Sequence, residues 1–157
     1  LENKIELLNA GDKVLLSGTV FTARDAAHKR IVSMLENNEP LPFNLNNSAI
    51  YYAGPTPTPK NLAIGSCGPT TSSRMDTYTP LMLNEGVKCV IGKGPRNADV
   101  VNSIIKNKAV YLCAIGGAGA LASKCITECE VIAFEDLGCE SIKKLTFKPC
   151  PKFYLQP

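Results

Sequence analysis

Apolar positions near the start of the chain change from a strand-like to a helix-like spacing. Residues 14–20 are rich in apolar and β-branched side chains and predict a strand. Residues 24–37 predict a helix, because their apolar side chains recur at steps of three and four residues. Prolines and an asparagine-rich stretch follow this helix and predict a loop.

Strand and helix patterns then alternate along most of the remaining chain. Further strands are predicted at 49–53, 62–66, 87–91, 109–114 and 131–134, and further helices at 72–84, 96–106 and 118–125. The proline-rich segment 54–59 predicts a connector, and the tail 148–157 an irregular segment or an edge strand. Strand–helix–strand repetition predicts one α/β domain over residues 1–157, with a largely parallel central sheet.

Composition narrows the class of protein. Apolar residues make up 45% and charged residues 20% of the chain, which is typical of a soluble globular domain. The net charge of +3 is small and spread along the sequence, so nucleic-acid binding is not expected. The longest apolar run, 109–122, is interrupted by glycines and is shorter than the roughly 20 residues of a membrane span. No membrane association is expected either.

The chain has seven cysteines, an odd number, and no CxxC pair. Cys89 and Cys113 lie within apolar runs, where cysteine behaves as a small hydrophobic residue. This usage predicts mostly buried free thiols in a reduced, cytoplasmic setting. A metal site involving Cys125 and Cys129, four residues apart, is the alternative, but no second pair accompanies them.

The segment Gly65–Asp76, GSCGPTTSSRMD, is the most informative for chemistry. A predicted strand runs into a Gly-Pro turn, four hydroxyl residues and Arg74 at a predicted helix start. Backbone N–H groups at a helix start favour an anion, and an arginine can bind a carboxylate through two parallel hydrogen bonds. The alternative is an ordinary helix cap made by the threonines and serines, with a solvated arginine. The residues alone leave both open.

Two other predicted strand ends carry cationic side chains. Arg24 follows the first strand, together with Asp25 as a first-turn acid and the single histidine, His28. Lys93 lies between two glycines after a later strand, where it is either a ligand-binding residue or a surface lysine in a tight turn. His28 is either part of the same crevice or a packed helix residue.

These strand ends lie at one edge if the strands are parallel. The Gly-rich stretch at 115–119 would also lie there, although it lacks the spacing of a dinucleotide-binding loop. Three cationic side chains and several hydroxyls at one edge predict a site for a small di-anion.

The same segments resemble a known family. GPTTSSRMD resembles the GPTT-x-x-RM signature of the β subunit, or C-terminal domain, of class I fumarate hydratases and L-tartrate dehydratases. GTVFTARDAAHKR, AIYYAGPTP and IGKG resemble further segments of that family in the same order. The resemblance covers nearly the whole chain, from Asp12 to Leu155.

The resemblance implies a three-layer β/β/α swivelling domain and reversible hydration of fumarate to L-malate. It implies a [4Fe–4S] cluster whose cysteine ligands belong to an α-type partner subunit. None of the seven cysteines matches those ligands, so no metal ligand is assigned to this chain. Catalysis would then require oligomers of α/β pairs, with this chain supplying substrate-binding side chains across the interface.

Site residues follow from the resemblance position by position. Arg24, Thr70, Arg74 and Lys93 match residues that hold the substrate carboxylates. Thr71 matches a threonine proposed as the catalytic base, a role that requires activation by its surroundings. No role is assigned to His28.

Two alternatives to fumarate hydratase stay open. One is the β subunit of L-tartrate dehydratase, which performs the same chemistry on a hydroxylated substrate. The other is a non-catalytic swivelling domain that binds a ligand, against which the three cationic positions argue.

Overall fold

Eight strands form a mixed sheet in the computed structural model, which describes residues 1–114, 117, 119–149 and 152–155. In chain order the strands are β1 (Lys13–Leu15), β2 (Gly18–Thr22), β3 (Ala49–Tyr51), β4 (Cys89–Gly92), β5 (Val110–Cys113), β6 (Ile126–Ala133), β7 (Ile142–Phe147) and β8 (Lys152–Leu155). The α-helices are α1 (Glu2–Ile5), α2 (Asp25–Glu36), α3 (Thr79–Asn84), α4 (Ala98–Lys106) and α5 (Gly119–Ser123). Two 3-10 helices are found at Ser72–Met75 and Glu135–Glu140.

The centre of the sheet is parallel and its margins are antiparallel. The strand order is β1-β8-β5-β4-β3-β2-β7-β6. Strands β2, β3, β4 and β5 run parallel to one another, while β8, β1, β7 and β6 pair in antiparallel fashion. The α/β class is thus confirmed, with a sheet that is only partly parallel. The carboxyl ends of the four central strands all lie at one edge.

Both faces of the central strands are buried, which explains their continuous apolar sequence. Ala49 and Tyr51 of β3 belong to one core cluster. Ile50 of β3 belongs to a second cluster on the other face, together with Ala27 and Ile31 of α2. Packing on both faces holds the strand ends at defined positions, and these ends carry the candidate site.

The first predicted strand, 14–20, is wrong as a single element. The chain forms β1 and β2 there, and these lie far apart in the sheet, with β1 beside β8 and β2 between β3 and β7. Gly18 begins β2 with a φ of +103°, a backbone conformation that favours glycine and redirects the chain. The prediction failed because apolar content does not reveal a change of direction between two short strands.

Three further predictions need correction. Residues 62–65 form bends and residue 66 has no regular structure, so no strand forms there. The predicted helix 72–84 is a 3-10 helix followed by α3, with Pro80 in the first turn of α3. Strand β6 begins at Ile126, earlier than the predicted 131, because its exposed face is polar and weakens the apolar pattern.

The carboxyl-terminal part adds strands that the apolar pattern missed. Strand β7 lies between β2 and β6, and β8 lies between β1 and β5 rather than at an edge. Four residues of the predicted tail, 150, 151, 156 and 157, lie outside the described residues, as do 115, 116 and 118 of the Gly-rich stretch.

Within the described residues, helix length and hydropathy rule out a membrane-spanning helix.

The cysteines only partly follow the prediction of buried free thiols. Cys67 and Cys89 are buried and free, whereas the free thiol of Cys139 is exposed. Cys113 and Cys129 are free and half-buried. Cys125 is disulfide-bonded, which departs from a fully reduced set.

Candidate functional site

A loop segment, Pro69–Ser72, inserts between the carboxyl ends of β3 and β4. The Thr70 amide donates to the carbonyl of Tyr52 over 2.7 Å, and the Ser72 amide donates to the carbonyl of Lys93 over 2.9 Å. Thr71 and Lys93 form an isolated parallel bridge between these two contacts. The segment therefore brings the two threonines and the lysine to the same sheet edge.

Arg74, on the 3-10 helix after this segment, reaches the start of α2. Its Nε donates to Asp25 Oδ1 over 3.0 Å, and its terminal NH2 lies 2.9 Å from Asp25 Oδ2. The side chains are 49% and 33% exposed, respectively, so the pair is open to solvent. The arginine thus already holds a carboxylate through both of its neighbouring nitrogens.

Arg24 lies directly before Asp25, as the N-cap residue of α2. Its Nε is 3.4 Å from Glu140 Oε1 and 4.0 Å from Asp25 Oδ2. Gly54 packs against it so closely that a Cβ there would lie 2.9 Å from a terminal nitrogen of Arg24. The guanidinium is therefore held between two carboxylates and a backbone that has no room for a side chain.

The Thr71 hydroxyl and the Lys93 ammonium remain available to a ligand. Thr71 is exposed and Lys93 is half-buried. Within the described residues, neither side chain makes a hydrogen bond or an ion pair, and no group there activates Thr71 as a base. Thr70 is half-buried beside them.

Beneath this edge lies a buried arginine that sequence reasoning missed. Arg96 Nε donates to Asp76 Oδ1 over 2.7 Å, and its NH2 donates to Thr79 Oγ1 over 2.7 Å. The guanidinium also lies over the rings of Tyr52 and Tyr111, at 5.3 and 5.1 Å from their centroids. Only 2% of the Arg96 side chain is exposed, so it stabilises the buried side of the site through these contacts. Its place in IGKGPR, after a strand, was the available signal.

His28 is a packed residue rather than part of the open edge. It is 1% exposed, its ring stacks on Tyr78 and meets Tyr52 edge-on, and its Nδ1 lies 2.8 Å from the carbonyl of Arg24. Burial lowers the pKa of His28 to about 4, although the backbone contact and Asp25 act in the opposite direction. The imidazole is therefore neutral at pH 7.

Glu140 is a second contributor that the sequence did not indicate. It belongs to the turn 138–141, which surrounds the buried ammonium of Lys143. Lys143 Nζ donates to three backbone carbonyls of this turn, and to the Ser141 hydroxyl over 2.6 Å. Burial lowers the pKa of Lys143. The buried lysine thus holds the turn that carries Glu140 towards Arg24.

The arrangement is suited to a small anion with two carboxylates. Two arginines, one lysine and the hydroxyl groups of the threonine pair lie at or beside the ends of neighbouring strands, and each can donate to carboxylate oxygens. Among the described residues, no three His, Cys, Asp or Glu side chains are grouped so that they could hold a metal ion. The described part of the chain therefore does not fit a cluster bound by three cysteines.

Comparison with known proteins gives the site a context. A family model described as "Fumarase C-terminus" matches residues 1–155. The chain is 41% identical over 145 residues to fumarate hydratase 2 of Leishmania major, and 38% identical over 145 residues to the aerobic class I fumarate hydratase of Escherichia coli K12. It is 34% identical over 135 residues to the β subunit of L(+)-tartrate dehydratase of the same E. coli strain.

The extent of these matches differs between the two kinds of relative. The two fumarate hydratase matches each cover 91% of this chain, but only 26% of the relative. The tartrate dehydratase match covers 83% of this chain and 65% of the relative. The chain thus spans about a quarter of the fumarate hydratases and about two thirds of the tartrate dehydratase subunit.

Proposed function

The chain belongs to the fumarase C-terminus family, and we propose that it is the β-type part of a hydro-lyase that interconverts fumarate and L-malate. The observation that carries this proposal is the sheet edge at which Arg24, Arg74, Lys93 and the two threonines lie. Donors arranged in this way suit a dicarboxylate. The swivelling arrangement of a single β-type domain over residues 1–157, and a cytoplasmic location, are part of the same proposal.

Arg24, Thr70, Arg74 and Lys93 bind the two substrate carboxylates in this proposal. Arg74 supports the assignment most directly, because it already pairs with the carboxylate of Asp25 through Nε and NH2 at 3.0 and 2.9 Å. A substrate carboxylate would compete for the same donors or share them. The unpaired ammonium of Lys93 adds a third positive charge without a described carboxylate to neutralise it.

Thr71 is proposed as the base that removes the proton next to a substrate carboxylate. Its exposure and its bridge to Lys93 support a position beside the substrate. A threonine hydroxyl is a weak base at its ordinary pKa and has to be activated by a neighbouring group. Since no described side chain forms a hydrogen bond with its hydroxyl, the activating group is expected from the partner.

The partner is proposed to be an α-type subunit or domain that holds the [4Fe–4S] cluster, in oligomers of α/β pairs. The cluster would supply an electrophile for the substrate oxygen, a role that no described side chain of this chain can fill. The residues of this chain would bind and orient the dicarboxylate and carry the proton at Thr71.

The β subunit of L-tartrate dehydratase is the second candidate. In its favour, the chain covers a larger share of such subunits, 65% of the E. coli subunit and 69% of a putative one from Methanocaldococcus jannaschii. The donors described above suit either dicarboxylate, so the choice depends on residues that contact the carbon chain between the carboxylates. A non-catalytic swivelling domain is the third candidate.

The decisive experiment mixes the chain with an α-type partner that carries a reconstituted cluster. Hydration of fumarate and dehydration of L-malate and L-tartrate are measured for the pair and for each component alone. Activity of the pair towards fumarate and L-malate supports the proposal, and a preference for tartrate supports the second candidate. A pair that binds a dicarboxylate without turnover would indicate the non-catalytic domain.

A further inference from the structure

Tyr111 connects the two loops that carry Thr71 and Lys93. Its hydroxyl lies 2.9 Å from Ser72 Oγ and 2.7 Å from the carbonyl oxygen of Gly94. Ser72 follows Thr71 directly, and Gly94 follows Lys93 directly. One phenol therefore lies between the neighbours of the proposed base and of the proposed carboxylate-binding lysine.

The direction of these hydrogen bonds follows from the groups involved. A carbonyl oxygen can only accept, and a phenol has one hydrogen to donate. The Tyr111 hydroxyl therefore donates to Gly94, and its oxygen accepts a hydrogen bond from the Ser72 hydroxyl. All three groups are satisfied in this order, so the two loops are joined by a directional chain of hydrogen bonds.

The ring that carries this hydroxyl is itself tightly held. Tyr111 is buried in β5, and the guanidinium of Arg96 lies 5.1 Å from its ring centroid. Burial raises the pKa of Tyr111 to about 12, which keeps the hydroxyl protonated and able to donate. Ser72 is equally restrained, because its Oγ packs closely against Gly92. A Cβ on Gly92 would lie only 2.0 Å from this oxygen.

We propose that Tyr111 is a positioning residue, which holds the Thr71 loop and the Lys93 loop in the register that catalysis requires. The proposal rests on the hydro-lyase function above and extends it to a residue outside the proposed set of substrate-binding side chains. The main-chain hydrogen bond from Ser72 to Lys93 sets the two loops in contact, and the Tyr111 hydroxyl joins them a second time, through a side chain. Small displacements between a base and a bound substrate reduce turnover strongly.

Tyr111→Phe tests this, because it keeps the ring against Arg96 and removes only the hydroxyl. In the reconstituted pair, kcat is expected to fall by about 5- to 30-fold, while KM changes by less than about threefold. Ser72→Ala is expected to act in the same way. The double variant should be no slower than the slower single variant, since both remove one chain of hydrogen bonds.

Hydrogen exchange of the isolated chain gives a readout that does not depend on activity. Tyr111→Phe should accelerate exchange about fivefold at the amides of residues 71–74, 94, 96 and 97, without change in β3 and β4. Tyr154→Phe is the control, since its hydroxyl makes no hydrogen bond within the described residues, and it should alter neither measurement.

Three results would overturn the proposal. One is a Tyr111→Phe variant with the kcat and the hydrogen exchange of the wild type, and another is a double variant in which the kcat losses of Tyr111→Phe and Ser72→Ala multiply. The third is faster exchange throughout the sheet. A wild-type pair inactive on fumarate, L-malate and tartrate would instead refute the hydro-lyase function. In that case hydrogen exchange alone tests the role of Tyr111. Faster exchange confined to the two loops would support that role, and unchanged exchange there would refute it.

Discussion

Two arginine–aspartate pairs in this chain each join both carboxylate oxygens to two guanidinium nitrogens, but through different nitrogens and in different surroundings. Arg74 and Asp25 meet through Nε and NH2 at the candidate site. Arg30 and Asp136 meet through both terminal nitrogens, between α2 and the 3-10 helix Glu135–Glu140. Both pairs are at least partly exposed to solvent, so neither is expected to add much to stability. Their comparison therefore separates a role in binding from a role in folding.

Arg74→Lys is expected to lower kcat/KM of the reconstituted pair. Lysine keeps the positive charge but cannot form two parallel hydrogen bonds to one carboxylate. The loss of a charged hydrogen bond within a closed site costs on the order of 2–5 kcal/mol, a rate factor of tens to thousands. Steady-state kinetics with fumarate and L-malate measure the effect.

Arg30→Lys is the matched control for this substitution. It makes the same change in the other exposed pair, where Arg30 donates to Asp136. We expect unchanged kinetics and a change in unfolding free energy within about 0.5 kcal/mol. Equal kinetics for the Arg74 and Arg30 variants would remove Arg74 from the set of carboxylate-binding residues.

His28 makes the stability of the chain dependent on pH. Its pKa is lowered to about 4 by burial, whereas an unfolded histidine has a pKa of 6.5. Between these values the unfolded state binds a proton that the folded state does not, so stability is fully present above pH 6.5 and is lost as pH falls towards 4. At about 1.4 kcal/mol per pH unit, the loss is on the order of 3 kcal/mol.

The measurement compares urea unfolding of the wild type and of His28→Phe at several pH values from 7 to 4. Phenylalanine keeps a ring between Tyr52 and Tyr78 and does not titrate. The wild type should therefore lose more stability than the variant over this range, because acidic groups contribute equally to both. Parallel curves for the two proteins would show that the imidazole titrates normally.

At the scale of elements, Asp76 explains why the predicted helix 72–84 is divided. Its carboxylate accepts from Arg96 Nε over 2.7 Å and from the amide of Asn97 over 2.9 Å, so it faces the start of α4. The 3-10 helix ends at Met75, and α3 begins only at Thr79. Local spacing indicated a continuous helix because these partners lie about 20 residues away in the sequence.

Asp76→Asn is expected to destabilise the chain by about 2–4 kcal/mol, because it leaves the buried Arg96 without its counter-charge. The side chains of this pair are only 9% and 2% exposed. Chemical denaturation measures the loss. Asp99→Asn, in the exposed first turn of α4, is the control and should cost about 0.5 kcal/mol. A loss for Asp76→Asn no larger than that of the control would show that the pair contributes little.

Strand pairing was predictable only where sequence neighbours pack in a simple order. Strands β3, β4 and β5 are separated by helices and were predicted within a few residues. By contrast, β8 lies between β1 and β5, and this pairing joins the two ends of the chain. No local pattern encodes such contacts, so the sequence predicted only an irregular segment or an edge strand for the tail.

At the scale of the whole molecule, the position of the candidate site was more predictable than its support. Parallel strands bring their carboxyl ends to one edge, and that rule located Arg24 and Lys93 from the sequence. Thr71 was placed there through a predicted strand, 62–66, that does not form, and it reaches the edge as part of a loop instead. The turn that carries Glu140, and the hydroxyl of Tyr111, reach the site from β7 and β5 through tertiary contacts alone. Such contacts depend on how the sheet closes, which local patterns do not specify.

The isolated chain is expected to bind no [4Fe–4S] cluster, because no three of the cysteines in its described part are grouped at one place. Cys67 and Cys89 are buried, and burial raises the pKa of each to about 12, which disfavours the thiolate that binds iron. Anaerobic reconstitution with iron and sulfide, followed by iron analysis and absorption spectroscopy, should give far less than one cluster per chain. The same treatment of an α-type partner should give a cluster, and its mixture with this chain should gain hydro-lyase activity. A stoichiometric cluster on this chain alone would contradict the proposed division of the site, since the electrophile would then belong to the same chain as the carboxylate-binding residues.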